Sequence, residues 1–456
     1  MSIAAQTAPD AGRSRLGGRW IEHWTPEDPD FWKNIGAKVA NRNLWFSILT
    51  EHIGFSIWSL WSVMVLFMGP KYGLSVADKF YLVSTPTLVG AILRLPYTLA
   101  VARFGGRNWT IISAGLLLIP TILCAIVLRP GVSFSTLLIV AAVAGVGGGN
   151  FASSMTNINA FYPEQKKGWA LGLNAGGGNL GVAAIQLLSL GVIAWSGTTS
   201  PHIILYVYIP LIVVAAVCAA LFMDNLSSVR NDTKALKEAA SDPQTWIMSF
   251  LYIGTFGSFI GYSFAFGLVL QNQFGRTPLQ AAGITFLGPL VGSLIRPVGG
   301  RLADRLGGAK VTLWNFLAMA VSVVVIVGAS EMKSLPAFTV GFLALFFFSG
   351  LGNGSTYKMI PAIFRAKALT REESGDQLLW ARRMSGAVIG IAGAVGALGG
   401  LFINLAFRQS FLTAKSGMPA FVAFLAFYLI CIAVTYFAYV RQPSTTTTTE
   451  PLFAKI

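Results

Sequence analysis

The chain has 456 residues, of which 54% are hydrophobic and 11% charged, with a net charge of +15 and a mean hydropathy of +0.64. Soluble domains carry about 25% charged residues, so a string of soluble domains is excluded. Apolar runs of about 20 or more residues also exclude a spanning β-barrel, whose strands alternate, and leave an all-α polytopic membrane protein.

Residues 1–43 are polar and show no cleavable signal pattern, so the chain is expected to insert through its own first helix. Twelve spans follow, near 44–69, 79–102, 109–128, 134–160, 169–195, 202–223, 246–272, 279–300, 311–330, 336–361, 384–407 and 418–440. Six fall in each of two bundles, 44–223 and 246–440, joined by a polar linker at 224–245. The tail, 441–456, holds Pro443, Ser444 and a run of threonines, a low-complexity composition that reads as disordered. Most of the 33 Lys and Arg lie in the two tails and the loops that share their side. That asymmetry places both termini in the cytoplasm of a multi-pass cell (inner) membrane protein. The basic character is thus topology and no nucleic-acid footprint. Cys124, Cys218 and Cys431 sit far apart in apolar spans, without metal spacing, and only three His are present. No metal site and no cofactor is indicated.

The halves repeat each other in the same order. Leu88 to Arg94 reads LVGAILR and Leu290 to Arg296 reads LVGSLIR. At the same offset Arg103, Gly105 and Gly106 fall on Arg305, Gly307 and Gly308. Further on, Gly147, Gly149, Asn150 and Phe161 match Gly350, Gly352, Asn353 and Phe364. Six spans per repeat is an even number, so the halves run parallel about an axis along the membrane normal, with a site expected between them near the midplane.

Arg94 and Arg296 stand out chemically. A guanidinium inside hydrocarbon costs about 2.5–3.5 kcal/mol on insertion scales and cannot shed its proton. An ion pair or snorkelling to the interface would relieve it, but the spans hold almost no acid. Two cations at matching places suggest a site for a small anion reached from both halves. Asn174 and Asn179 lie among the glycines of ALGLNAGGGNLGV (Ala170 to Val182). Their amides need partners in a dry setting, through a ligand or a structural hydrogen bond. Glycines at intervals of three, Gly390, Gly393, Gly396 and Gly399, mark a close helix contact. Gly177 and Gly396 are expected where helices of opposite halves slide past each other. Glu51, followed by His52, is the one carboxylate well inside a span, and Lys358 lies at a similar depth in the tenth. The two read as an ion pair, either a coupling device that protonation opens or a permanent structural pair.

The strings WTPEDPDFW, LRLPY, NFASSMTN, GLNAGGGNLGV, LYIGTFGSFIG (Leu251 to Gly261), ADRLGG, GLGNGSTYKMI and GAVGALGG resemble the nitrate/nitrite porter family, the NarK-type branch of the major facilitator superfamily. The resemblance covers most of the chain. It implies the major facilitator fold and transport of nitrate and nitrite by alternating access, as nitrate/nitrite antiport or nitrate/proton symport, in a protein functional as a monomer. It assigns the substrate arginines to Arg94 and Arg296, the signature asparagine to Asn179, the substrate tyrosine to Tyr252 and the aromatic pair flanking the anion to Phe151 and Phe256. The first-half copy of the ADRLGG loop departs from its pattern, with Ala102 where Asp304 stands in the second. A nitrate sensor on a transporter fold is the alternative, although a sensor wants an output domain that these short tails do not offer. An enzyme would need a nucleophile–base set, metal cluster or nucleotide loop, and none is visible.

Overall fold

The computed structural model describes residues 19–230, 232–369 and 377–441. Among the described residues, twelve helices are long and apolar enough to cross a bilayer. They are α1 (Pro29–Phe67), α2 (Val76–Phe104), α3 (Gly106–Val127), α4 (Phe134–Phe161), α5 (Glu164–Ser196), α6 (His202–Phe222), α7 (Pro243–Phe274), α8 (Pro278–Leu306), α9 (Gly308–Glu331), α10 (Leu335–Leu369), α11 (Leu379–Ala414) and α12 (Met418–Val440). Each coincides with one expected span. The helix of α1 starts earlier than residue 44, because Asp28 caps it by accepting from the amides of Asp30 (2.9 Å) and Phe31 (3.3 Å). The expected tail at 441–456 lies, apart from Arg441, outside the described residues.

The repeat is visible in how helices begin and stop. Both α2 and α8 open on a capping box, Ser75 with Asp78 and Thr277 with Gln280, which satisfies first-turn amides. Both end on a glycine at φ 89°, Gly105 and Gly307, in the left-handed region where a Cβ is strained. The repeated Arg-x-Gly-Gly string is therefore a helix stop that feeds the chain directly into α3 or α9.

Burial sorts the helices into layers. In α1 and α7, 83% and 94% of the apolar window is buried inside the protein, against 33% in α6 and α12. The first helix of each half therefore lies at the centre and the last faces outward. Across the seam α2 packs along α11 and α5 along α8, the exchange of partners that a two-fold axis along the normal requires. Within each half, a Cβ at Gly147 would fall on the carbonyl of Gly54, and one at Gly350 on that of Gly292. These repeat-equivalent glycines let backbones touch.

The sliding contact is not at Gly177 and Gly396. Gly177 faces Ile48 of α1 and Gly396 faces Tyr252 of α7, each inside its own half. Glycines that do look across the seam include Gly176, toward the Ser293 carbonyl, Gly267, toward Leu66, and Gly393, toward Arg94. A three-residue interval drifts off a helix of 3.6 residues per turn, so it cannot resolve which neighbouring position faces the partner.

The linker is tied to both halves. Strand β1 (Trp20–Ile21) pairs in parallel with β2 (Asn225–Leu226). Buried Asp224 receives Arg19 Nε (3.1 Å), Arg42 Nη2 (2.6 Å) and Asn43 Nδ2 (2.8 Å). A short helix, Thr233–Ser241, then lies on α11. There Arg383 donates to Asp232 (2.9 Å) and Trp380 Nε1 to Glu238 (2.8 Å). The Arg383 guanidinium holds the Asp232 carboxyl below its ordinary range.

Candidate anion-binding site

A cavity of about 1820 Å³ opens between the halves. Small-molecule pockets run to ~300–1,000 Å³, so this is a vestibule with a site at its end. At the inner end lie Arg94, Phe151, Arg296, Asn353 and Tyr357. Its outer lining reaches Lys167, Arg230, Asp232 and Arg365, at helix ends and in the linker. It is thus open on the side of the linker and termini. The opposite side is closed by contacts across the seam. Phe80 stacks on Phe407 (5.8 Å) and Phe411 (5.6 Å), Trp58 meets Phe264 edge-on (5.6 Å), and Gln186 Nε2 donates to the Ser263 carbonyl (2.9 Å).

The two arginines hold the floor. Arg94 is 1% exposed and Arg296 3%. Arg94 crosses the seam, donating from Nη1 to the Gly393 carbonyl of α11 at 2.7 Å. Its Nε and Nη2, which form one edge of the guanidinium, have no partner. Arg296 donates from Nη2 to the Tyr252 hydroxyl at 3.2 Å, and its Nη1 has no partner. Buried cationic N–H groups without acceptors are costly. An anion with several oxygens in one plane would meet the free edge of Arg94 and the free nitrogen of Arg296 together.

Aromatic rings set the shape around them. Arg94 Cζ lies 4.5 Å from the Phe151 ring centre and 4.8 Å from that of Phe256, at cation–π distance. Arg296 Cζ lies 5.8 Å from Phe151 and 5.9 Å from Phe256. The two rings stack on each other at 5.8 Å, and Tyr252 stacks on Phe256 at 5.2 Å. A flat anion sandwiched between rings needs about twice the ~3.5 Å contact distance, so Phe151 and Phe256 do not flank an open slot here. They form a platform for the guanidinium groups, with Phe151 on the cavity wall and Phe256 behind it. Tyr252 and Phe256 sit at a π-helical turn, Ile253–Gly257, that interrupts α7. Such turns concentrate at functional sites because they re-aim side chains.

The expected pair of Glu51 and Lys358 is not formed. Lys358 Nζ lies 2.8 Å from Asp304, joining α10 to α8 within the second half. Glu51 is fully buried and accepts from Asn174 Nδ2 at 2.7 Å. Depth along the membrane normal is readable from a sequence, but the direction in which a side chain leaves its helix is not. Asn179 is fully buried with both amide atoms unpartnered and does not line the cavity. Asn353 and Tyr357, one turn apart on α10, were not singled out by sequence. Asn353 has both amide atoms unpartnered, and the Tyr357 ring lies 5.8 Å from Arg296 Cζ. Their signal was the match of Asn353 to Asn150 in the repeat, and the i, i+4 spacing that puts Tyr357 on the same face.

Two like six-helix halves around a central vestibule open on one side define a secondary transporter of the alternating-access type. Residues 44–404 match the model of the Major Facilitator Superfamily. Among characterised relatives, "Nitrate/nitrite transporter NarU" of Salmonella typhimurium is 36% identical over 92% of this chain and 96% of its own. NarU of Escherichia coli is 34% identical over the same shares, and "Probable nitrate/nitrite antiporter NarK2" of Thermus thermophilus is 33% identical over 93% and 97%. A solved bacterial homologue of the human lysosomal transporter Spinster, inward-facing and unoccupied, shares the fold at a TM-score of 0.63 and 16% identity, covering 88% of this chain and 97% of that one. The chain belongs to the Major Facilitator Superfamily and, within it, to the family of these nitrate/nitrite transporters. It is a multi-pass membrane transporter and no enzyme.

Proposed function

We propose that the chain carries nitrate and nitrite across the cell membrane, binding the anion between Arg94 and Arg296. The observation that carries the reading is the set of three buried, unpartnered guanidinium nitrogens, supplied from both halves at the closed end of the vestibule. Both termini lie on the cytoplasmic side, so this state faces the cytoplasm, and the chain works as a monomer in the bilayer. Nitrate offers three coplanar oxygens and nitrite two, which suits flat donor forks. Tyr252 orients Arg296, and Phe151 and Phe256 exclude water from the cations. Asn179 stands behind this layer, a buried amide with both polar atoms unpartnered.

An anion touching α2 and α8 at once draws the halves together at the open end. The contacts of Phe80 and Trp58 at the other end then part, and the site changes sides. Closing an empty site would bring two like charges together in a dry setting, which disfavours the unloaded return and favours exchange of one anion for another. Titration calorimetry of the purified protein tests the reading. Nitrate and nitrite should bind and sulfate should not. Equal heats for sulfate, or none for nitrate, would refute it.

A further inference from the structure

We propose that Asn353 tells nitrate from nitrite, its side-chain amide donating to the third oxygen of nitrate; the inference rests on the anion-binding reading above. Asn353 is fully buried, and neither polar atom of its amide has a partner. It stands with Arg94, Phe151, Arg296 and Tyr357 on the wall at the inner end of the vestibule. A buried amide without partners is costly. The free edge of Arg94 and the free nitrogen of Arg296 are in the same condition, so one ligand would relieve all three.

The packing of α10 fixes the direction in which the amide leaves the helix. A Cβ at Gly350 would fall on the Gly292 carbonyl, and one at Gly354 on the Arg296 carbonyl. The backbones of α10 and α8 therefore touch at the root of Arg296. On another face of α10, a Cβ at Gly352 would meet Thr255 of α7 at 2.6 Å. Asn353 and Tyr357, one turn apart, are left on the face that looks into the vestibule. The Tyr357 ring centre lies 5.8 Å from Arg296 Cζ and 5.5 Å from the Tyr252 ring. Asn353 lies one turn farther from Arg365 at the mouth.

Helix packing alone does not call for this amide, because glycines make the close contacts. Its match in the first repeat, Asn150, is also buried with both amide atoms unpartnered. Asn150, however, lies against α1, where a Cβ at Gly54 would be 2.8 Å from its Nδ2, and it does not line the vestibule. The repeat supplies the residue twice, and only the second copy meets the anion path.

The discrimination follows from the shapes of the two anions. Each presents two oxygens to the guanidinium groups. With those held, nitrate points its third oxygen away from the arginines, whereas nitrite presents a nitrogen lone pair one N–O bond nearer to them. A donor placed for the oxygen is out of reach of that nitrogen, since stretched hydrogen bonds weaken steeply. The Asn353 NH2 group is such a donor. With nitrite bound it stays unpaired, which adds to the difference.

The test is titration calorimetry of the purified full-length protein with nitrate and, separately, with nitrite. The wild type should bind nitrate more tightly. Asn353→Ala should raise the nitrate Kd by about 10- to 150-fold, the loss of one hydrogen bond to a charged group, and the nitrite Kd by less than about threefold. Asn353→Leu keeps the bulk without the amide and should do the same where the alanine protein is unstable. Asn150→Ala should leave the ratio of the two Kd values unchanged. Unchanged nitrate affinity, equal loss for both anions, or a ratio displaced as far by Asn150→Ala overturns the inference alone. So does a wild type that binds nitrite as tightly as nitrate, which decides even if no variant folds. Absence of binding for both anions would sink the anion-binding reading and this one with it.

Discussion

Replacing Arg94 by Lys keeps the charge and removes the fork. In the structure Arg94 divides its donors: Nη1 holds the Gly393 carbonyl across the seam, and the Nε–Nη2 edge is free for two anion oxygens. A lysine ammonium at the end of a flexible chain can meet one of these acceptors well. At least one charge-assisted hydrogen bond is lost, worth about 1.5–3 kcal/mol, or about a 10- to 150-fold rise in the nitrate Kd. Arg296→Lys should weaken binding on the same scale, because its Nη2 bond to Tyr252 and its free Nη1 cannot both be replaced. Calorimetry on monodisperse, normally inserted protein reads the effect. Nitrate affinity within about threefold of wild type in both variants would refute planar two-arginine recognition.

Tyr252→Phe removes a charge-assisted hydrogen bond that orients Arg296 but leaves the anion-facing donors in place, so it should weaken nitrate binding by less than the about 1.5–3 kcal/mol of either arginine change; an effect as large as that of Arg296→Lys would mean the hydroxyl itself holds the anion. A Cβ at Gly399 would meet the Gly257 backbone at 2.6 Å, so Gly399→Ala should destabilise the second half by about 1–3 kcal/mol, seen as a lower melting midpoint in a thermal-shift assay; an unchanged midpoint would contradict the tight α7–α11 contact. The Arg383 guanidinium holds the Asp232 carboxyl below the usual carboxylate range, so the linker clamp is intact at neutral and mildly acidic pH and loosens only in stronger acid. Asp232→Asn should therefore change the level of uptake without changing its pH profile between about pH 5 and about pH 8, and a displaced profile in vesicle assays would show that the clamp senses pH.

What the sequence made legible was whatever a period or a misplaced charge records. Twelve spans, the parallel repeat and the two arginines follow from apolar run length and from cations in hydrocarbon. Phe151 and Phe256 were assigned by family resemblance alone, since nothing in the spacing of 32 Phe residues marks two of them. Glu51 and Lys358 share a depth, but Lys358 pairs with Asp304, in the last turn of α8, which comes into reach only when α8 and α10 pack. Nothing in the residues of Ile253–Gly257 announces a π turn, because it arises where α7 packs between α10 and α11. Tyr357 and Asn353 went unselected for a similar reason: facing a cavity is a property of six helices together.

The central claim is that one site, built on Arg94 and Arg296, carries the anion from side to side. Its most direct test is counterflow in proteoliposomes: entry of labelled nitrate into vesicles loaded with nitrite, with chloride or with sulfate. The account predicts rapid entry against nitrite, little against chloride or sulfate, and near-complete loss in the Arg94→Lys, Arg296→Lys double variant. Nitrate entry at equal rates whatever the internal anion, or undiminished in the double variant, would contradict it.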